Sequence, residues 1–289
     1  MAKRTQIWQQ FSQDYCKMVI PNRPSPEDCQ NYSLLINQVL KNKKRVRILV
    51  MGSTPELRSL LFTYTCLQKA RVYCLDFSEN MYRAMTDFIA KTDLKEKFIK
   101  GNWLKTGIKD DFFDLVVGDE VICNVPVKGH AKLFQEVKRI LKKDGFWITR
   151  HNFYLPNEIK PEQIILKTVK DIVQGKYGFQ TAINYLYILL FYNMVQKNKQ
   201  RRVNMAEETR EMEKAYKKLK DGLDKKALKA LIKHFKENWR SIFDYYWYVL
   251  SKKDSERELK PFFEIKKILY ARDYITAKNS PICLLKVKK

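Results

Sequence analysis

Val46-Arg47-Ile48-Leu49-Val50-Met51-Gly52-Ser53-Thr54-Pro55-Glu56-Leu57-Arg58, or VRILVMGSTPELR, is an apolar run that passes through one glycine into a helix-initiating Thr-Pro-Glu. A short continuous apolar run predicts a strand buried on both faces. Thr54 suits a helix N-cap, Pro55 the first helical position, and Glu56 complements the positive end of the helix dipole. The residue before a proline is also pushed out of the helical region, as an N-cap requires. Gly52 therefore falls in the strand-to-helix turn, where a missing side chain lets a ligand approach the main chain. In an open parallel sheet this place, beyond the carboxyl end of the first strand, is where nucleotide-like ligands bind.

Working outward, short apolar runs alternate with amphipathic segments. PELRSLLFTYTCLQ (55–68) has helical spacing, RVYCLD (71–76) reads as a strand, and SENMYRAMTDFIAK (78–91) as a helix. KFIKG (97–101) and FDLVVGD (113–119) are predicted strands, KGHAKLFQEVKRILKKDG (128–145) a helix, and FWITRHNF (146–153) a fifth strand. The alternation predicts an α/β fold, a Rossmann-like doubly wound sheet that is mostly parallel. Pro156 ends the pattern, and about 100 largely helical residues come after it. PFFEIKKILYA (261–271) and SPICLLKVKK (280–289) then revert to strands across a short link, which predicts an antiparallel C-terminal pair. The expected organisation is a helical cap over 1–44, a Rossmann-like domain from 45–156 and 258–289, and a helical insertion over 157–257. Within the cap, a helix, the Pro-rich turn PNRPSPEDC and a second helix are expected. The insertion would act as a substrate cap or a dimerisation element.

Composition narrows the class. The 289 residues are 45% hydrophobic and can bury a core. Six cysteines (Cys16, Cys29, Cys66, Cys74, Cys123, Cys283) are scattered singly among only three histidines, so neither a metal site nor a disulfide framework is expected. MAKRTQIWQQ has no apolar signal region, which predicts a cytoplasmic protein. The uncharged run Tyr177 to Gln196 carries Gln180, Asn184, Asn193 and Gln196, and its apolar centre is short for a bilayer. It reads as a buried helix rather than a stable membrane insertion. The net charge of +24 attracts anionic partners, nucleic acid among them, yet it is spread along the chain: residues 157–257 hold 22 basic against 13 acidic side chains, +9 of the total.

The second predicted strand ends in Asp76, 24 residues after Gly52, close to the spacing at which an acidic residue accepts hydrogen bonds from ribose hydroxyls. Asp76 could equally cap the helix beginning near Ser78. Four short stretches stand in order along the alternating region: Gly52-Ser53-Thr54-Pro55-Glu56-Leu57, LDFSENM (75–81), GNWL (101–104) and FDLVVGDEVICNVP (113–126). As a set they resemble the motifs of the class I S-adenosylmethionine-dependent methyltransferases. The first is similar to that family's first motif in its G-x-T-P-E-L variant, and the other three resemble the second, third and fourth. With FQEVKRILKKDGFWITR and the closing strands, the resemblance covers about 45–156 and 260–289, roughly half the chain.

The resemblance implies S-adenosyl-L-methionine as cofactor. It assigns Gly52, Ser53 and Thr54 to the amino-acid portion, Asp76 to the ribose, and Phe77, Met81, Asn102 and Trp103 to the adenine. Gly118 and Asp119 would face the methionine part and the sulfonium. The chain departs from the family in having one glycine in the first motif, no acidic residue just before it, and Asn102 in place of the usual aspartate. An amide oxygen can still accept from an adenine amino group.

Methyl transfer from a sulfonium mainly requires alignment of the acceptor, with a base only where the acceptor keeps its proton. Base candidates at strand ends are Asp119, Glu120, His151, Asn152 and Tyr154, with His151 favoured because its ordinary pKa lies in the working range. A strand-end histidine satisfied by a carbonyl, and Glu120 in a salt bridge to a nearby lysine, are the structural alternatives. No N-P-P-[FYW] motif comes after the fourth strand, and Cys123 lacks the preceding proline of a pyrimidine-methylating nucleophile. The expectation is methyl transfer to an oxygen or nitrogen of a small molecule. YLYILLFY (185–192) and FDYYWYVL (243–250) would line an apolar pocket or form the core of the insertion. The alternatives are a nucleic-acid methyltransferase, a non-catalytic scaffold that binds the cofactor, and an NAD-dependent dehydrogenase. A homodimer through the insertion is a further expectation.

Overall fold

The computed structural model describes residues 15, 20–67, 69–89, 95–156, 158–238 and 240–288. The N-terminal helix expected before the Pro-rich stretch falls outside the described residues. That stretch, expected as a turn, begins α1 (Pro26–Leu40). Ser25 Oγ accepts from Asp28 N–H (3.0 Å) and Asp28 Oδ2 accepts from Ser25 N–H (3.1 Å), a reciprocal cap with Pro26 at the first helical position.

The alternating region forms β1 (Val46–Met51), α2 (Pro55–Cys66), β2 (Ala70–Asp76), α3 (Glu79–Thr86), β3 (Glu96–Lys100) and β4 (Phe113–Asp119). It continues with α4 (His130–Ile140) and β5 (Leu141–Arg150), and the chain closes with β10 (Phe263–Leu269) and β11 (Ile282–Val287). Seven strands stand in the order β10-β11-β5-β4-β1-β2-β3. β11 is antiparallel to both of its neighbours, while β1, β2, β3, β4 and β5 pair in parallel. The mostly parallel, Rossmann-like doubly wound sheet is as expected, and its strand order reverses between β1 and β4.

One expected boundary moves. The helix predicted to reach Gly145 ends at Ile140. Leu141 then pairs with Phe113 and Phe146 with Leu115, so residues 142–145 bulge out of the ladder. A Cβ on Gly145 would stand 2.8 Å from the carbonyl oxygen of Lys142, so that bulge closes on a residue without a side chain. β5 likewise ends at Arg150, three residues short of the expected Phe153.

Alternation along the strands separates two cores. One face carries Ile48, Val50, Val72, Leu115, Val117, Ile148 and Leu284 and is covered by α1 and α2 through Leu35, Ile36, Leu57 and Leu61. The other carries Leu49, Met51, Val116, Trp147 and Leu285 and is covered by α4 through Leu133, Phe134 and Val137.

Between β5 and β10 run β6 (Phe153–Tyr154), α5 (Pro161–Val173), α6 (Phe179–Lys197), β7 (Arg202–Val203), α7 (Met205–Lys218) and α8 (Leu223–Asn238). β8 (Trp247–Tyr248), β9 (Leu250–Ser251) and α9 (Lys252–Leu259) complete it. Ile165, Leu186, Leu190, Met212, Leu231 and Phe235 form a third core that also takes in Met81, Met85, Cys123 and Tyr154. α6, the uncharged run, is buried there. Among the described residues no helix is long and apolar enough to cross a membrane.

Candidate functional site

The chain leaves β1 at Met51 and turns at Gly52, whose φ of +89° suits a residue without a Cβ. A Cβ there would lie 3.4 Å from Trp103 Cζ2, so the indole ring packs directly over the turn. The Leu75 carbonyl accepts from Gly52 N–H (2.9 Å) and from Trp103 Nε1–H (3.3 Å), which ties the turn to the end of β2. Thr54 holds the N-cap position of α2, as expected, but its side chain makes no capping bond. Glu56, in the first turn, instead accepts from the Tyr15 hydroxyl (2.9 Å) and Arg23 Nε–H (2.8 Å).

Asp76, at the end of β2, takes the capping role that was one of its two sequence readings. Its Oδ1 accepts from Ser78 N–H (3.0 Å), steadying the entry to α3, and its Oδ2 accepts from Ser53 Oγ (2.7 Å). A carboxylate offers about four acceptor sites, so it keeps capacity toward the space in front of it. Burial raises its pKa, against the opposing hydrogen bonds from Ser78, Ser53 and Phe77.

That space is a cavity of about 330 Å³ at the point where the strand order reverses. Its size suits a small-molecule ligand, and its place at the carboxyl ends of β1, β2 and β4 is the usual one in an open α/β sheet. Gly52, Ser53, Thr54, Asp76, Phe77, Met81, Asn102, Trp103 and Asp119 all line it, together with Glu120. Gly118 does not. It is packed in β4, where a Cβ would collide with Val121 Cγ2 at 2.5 Å, and its carbonyl accepts from the Tyr32 hydroxyl at 2.9 Å. Asn102 lies exposed at the rim, and its Oδ1 accepts from Leu104 N–H (2.9 Å).

Asp119 and Glu120 come at the end of β4 and rest on a buried guanidinium. Arg150 donates from Nε to Asp119 Oδ1 and from Nη2 to Asp119 Oδ2, both at 2.8 Å, and from Nη1 to Asp28 Oδ2 at 3.1 Å. Its Nη2 also lies 3.2 Å from Glu120 Oε1, so Glu120 pairs with an arginine and not with the lysine expected as its alternative partner. Asn152 Nδ2 donates to the same oxygen (2.8 Å). Burial pushes Asp119 up to about 7 despite Arg150, and burial raises Glu120 as well. Burial opposes the charge on Arg150, but Asp119 and Glu120 outweigh it and hold its pKa well above the ordinary value.

His151, expected as a base, is not presented to this cavity. β5 ends at Arg150, and successive side chains point to opposite faces. Arg150 turns toward Asp28 on α1, so His151 turns to α9, where its Nε2 lies 2.5 Å from Ser255 Oγ. It is 6% exposed, and burial, with His130 nearby, lowers its pKa to about 3, so the ring is neutral. Cys123 is buried with Sγ 3.0 Å from the Glu120 carbonyl, and burial raises its thiol pKa well above the ordinary value.

The remaining wall comes from places that sequence spacing does not connect: Tyr15, Met85, Asn124, Tyr187, Tyr245 and Trp247 among them. Tyr187, Tyr245 and Trp247 lie in the aromatic runs 185–192 and 243–250, whose composition is their one signal in the sequence. Tyr245 and Trp247 meet edge to face, with ring centroids 5.1 Å apart, and the Tyr245 hydroxyl donates to Asn124 Oδ1 (3.2 Å). Among the described residues that line the cavity, none is an arginine, lysine or histidine.

A family model described as a methyltransferase domain matches residues 51–149. No curated protein matches the chain. Among solved structures, PH0226 of Pyrococcus horikoshii OT3 is similar at 17% identity over 91% of this chain and 92% of that one, with a TM-score of 0.50. A Rhodobacter sphaeroides protein provisionally assigned as a Zn-dependent alcohol dehydrogenase is similar at 14% identity over 99% of both chains, with a TM-score of 0.55. The N-methyltransferase NodS of Bradyrhizobium japonicum WM9, solved with S-adenosyl-L-homocysteine, is similar at 7% identity over 98% of this chain and 100% of that one, with a TM-score of 0.50. At these identities the structural likenesses speak to fold and not to chemistry. Taken with the strand order, residues 51–149 of this chain match a methyltransferase domain set within a Rossmann-like sheet.

Proposed function

We propose that the protein transfers a methyl group from S-adenosyl-L-methionine to an oxygen or nitrogen atom of a small molecule held in the same cavity. The observation that carries this reading is the shared lining: Gly52 to Thr54, Asp76 and Asp119 on the sheet side, and Tyr187, Tyr245 and Trp247 from the helical segment on the other. In this reading the main chain at Gly52, Ser53 and Thr54 receives the amino-acid portion. Asp76 accepts from the ribose hydroxyls, while Phe77, Met81, Asn102 and Trp103 flank the adenine. Asp119 places negative charge near the sulfonium, with Gly118 holding the strand behind it. When bound, the cofactor supplies a methyl group already activated on sulfur. The chain's own residues hold the acceptor in line and keep water away. Residues 1–44 and 157–257 then serve as the cap that selects the acceptor.

A polyanionic acceptor fits this lining poorly. Nucleic-acid binding draws on lysine and arginine toward phosphate, and the surplus behind the +24 charge lies outside the cavity. The reading is tested by calorimetric titration with S-adenosylmethionine, S-adenosylhomocysteine and NAD. Micromolar binding of both sulfur ligands, none of NAD, and a loss of about tenfold or more in Asp76→Ala would support it. Binding of NAD alone would replace it with the dehydrogenase reading.

A further inference from the structure

Resting on S-adenosyl-L-methionine as the methyl donor, we propose that the acceptor is an amine, bound between Glu120 and the aromatic corner formed by Tyr187, Tyr245 and Trp247, and that methyl transfer occurs at its nitrogen.

In a chain of net charge +24, the cavity is lined by Asp76, Asp119 and Glu120 and, among the described residues, by no cationic side chain. Behind it, Arg150 is shared among Asp28, Asp119 and Glu120, three carboxylates to one guanidinium, so the site stays negative after pairing. Asp76 and Asp119 are committed to the cofactor side, which leaves Glu120 for the acceptor. Its Oε1 is held by Asn152 and Arg150, while Oε2 has the Cys123 thiol as a distant neighbour at 4.0 Å. Glu120 also has a φ of +51°, an uncommon conformation for a residue with a side chain.

The reaction itself separates the two acceptor atoms. An alcohol or phenol brings no charge for Glu120 to bind and develops negative charge on oxygen once its proton leaves, which the faces of aromatic rings oppose. An amine arrives as an ammonium that a carboxylate binds and deprotonates, and it develops positive charge on nitrogen as the new bond forms, which the faces of aromatic rings favour. The incoming ammonium passes one proton to Glu120. The freed nitrogen pair forms the C–N bond to the methyl carbon as the C–S bond breaks, and that electron pair stays on sulfur. The products are a methylated ammonium and a neutral thioether, with charge conserved. Burial raises the pKa of Glu120, which brings it closer to that of the proton it accepts.

The test uses three probes with the same phenylethyl group and three charges, 2-phenylethylamine, 2-phenylethanol and 3-phenylpropionate, titrated calorimetrically into protein saturated with S-adenosylhomocysteine. The expected result is amine binding about tenfold or more tighter than the alcohol, no measurable binding of the carboxylate, and loss of the preference in Glu120→Gln. Tyr245→Phe should keep the amine affinity and Tyr245→Leu should lose about fivefold. Failure of the amine to bind, equal or tighter binding of the alcohol or carboxylate, or a preference that survives Glu120→Gln overturns the proposal. Should Glu120→Gln fail to fold, equal amine affinity in the two Tyr245 variants overturns it instead. Absence of S-adenosylhomocysteine binding removes the cofactor reading and this proposal together. Binding of that nucleoside without an amine preference removes this proposal alone.

Discussion

Arg150 and Asp119 stand opposite one another at the ends of β5 and β4, and the guanidinium closes two 2.8 Å hydrogen bonds onto the carboxylate with both side chains withdrawn from water. The same guanidinium reaches Asp28 on α1, so one side chain joins α1, the sheet and the cavity. Removing it strands carboxylates away from water. Arg150→Met should cost about 3–5 kcal/mol, read by thermal or denaturant unfolding. Arg150→Lys should recover only part, because an ammonium cannot reproduce the planar two-bond contact.

Glu208 gives stability a pH dependence. It is fully buried on α7, neither carboxylate oxygen has a hydrogen-bond partner among the described residues, and burial raises its pKa well above 4.5. Asp119 is raised from 3.8 to about 7. In both cases the folded state holds its proton to higher pH than the unfolded chain. Their stabilising contribution is complete below the unfolded values and is lost as pH rises through the folded ones. Unfolding free energy should therefore fall as pH rises from about 4 toward 7, by up to about 1.4 kcal/mol per pH unit for each group. Glu208→Met should make that slope shallower and raise the melting temperature at neutral pH. An unchanged slope would assign the loss to other groups.

Gly52→Ala tests the turn. At a φ of +89° a Cβ costs about 1–2 kcal/mol, and here it would sit against the Trp103 ring at van der Waals distance. The expected outcome is modest destabilisation with a larger loss of S-adenosylmethionine affinity. Equal loss in stability and binding would mean that the turn only supports the fold.

His151→Asn should leave the pH profile of turnover unchanged, since the ring faces Ser255 and is already neutral in the working range. A lowered melting temperature is expected from the broken contact. Loss of a titration near pH 6–7 in the variant would restore His151 to a role in proton transfer.

The strand, turn and helix of 46–58 were legible because their signals are local: an apolar run, a glycine, and Thr-Pro-Glu in helix-starting order. The spacing from Gly52 to Asp76 was legible for the same reason, since one crossover unit sets it. Cys123 could be read as buried and not as a nucleophile. His151 could not be placed, because which face a strand residue points to is set by the pairing register, and a slip of one residue exchanges the faces. Arg150 gave no signal at all, as its partners lie 31 residues away at Asp119 and 122 away at Asp28.

By itself the sequence determined the alternation of elements, the antiparallel final strand and the carboxyl-edge position of Gly52 and Asp76, because hydrophobic period and turn chemistry act over a few residues. The tertiary structure alone decided which side chains share the cavity. Tyr187, Tyr245 and Trp247 share one cavity with Glu120 and Asn124 only through the packing of the helical segment against the sheet, and Arg150 is held among three carboxylates only once α1 covers β5. Such contacts depend on shape and burial across the whole chain, and no local pattern encodes them.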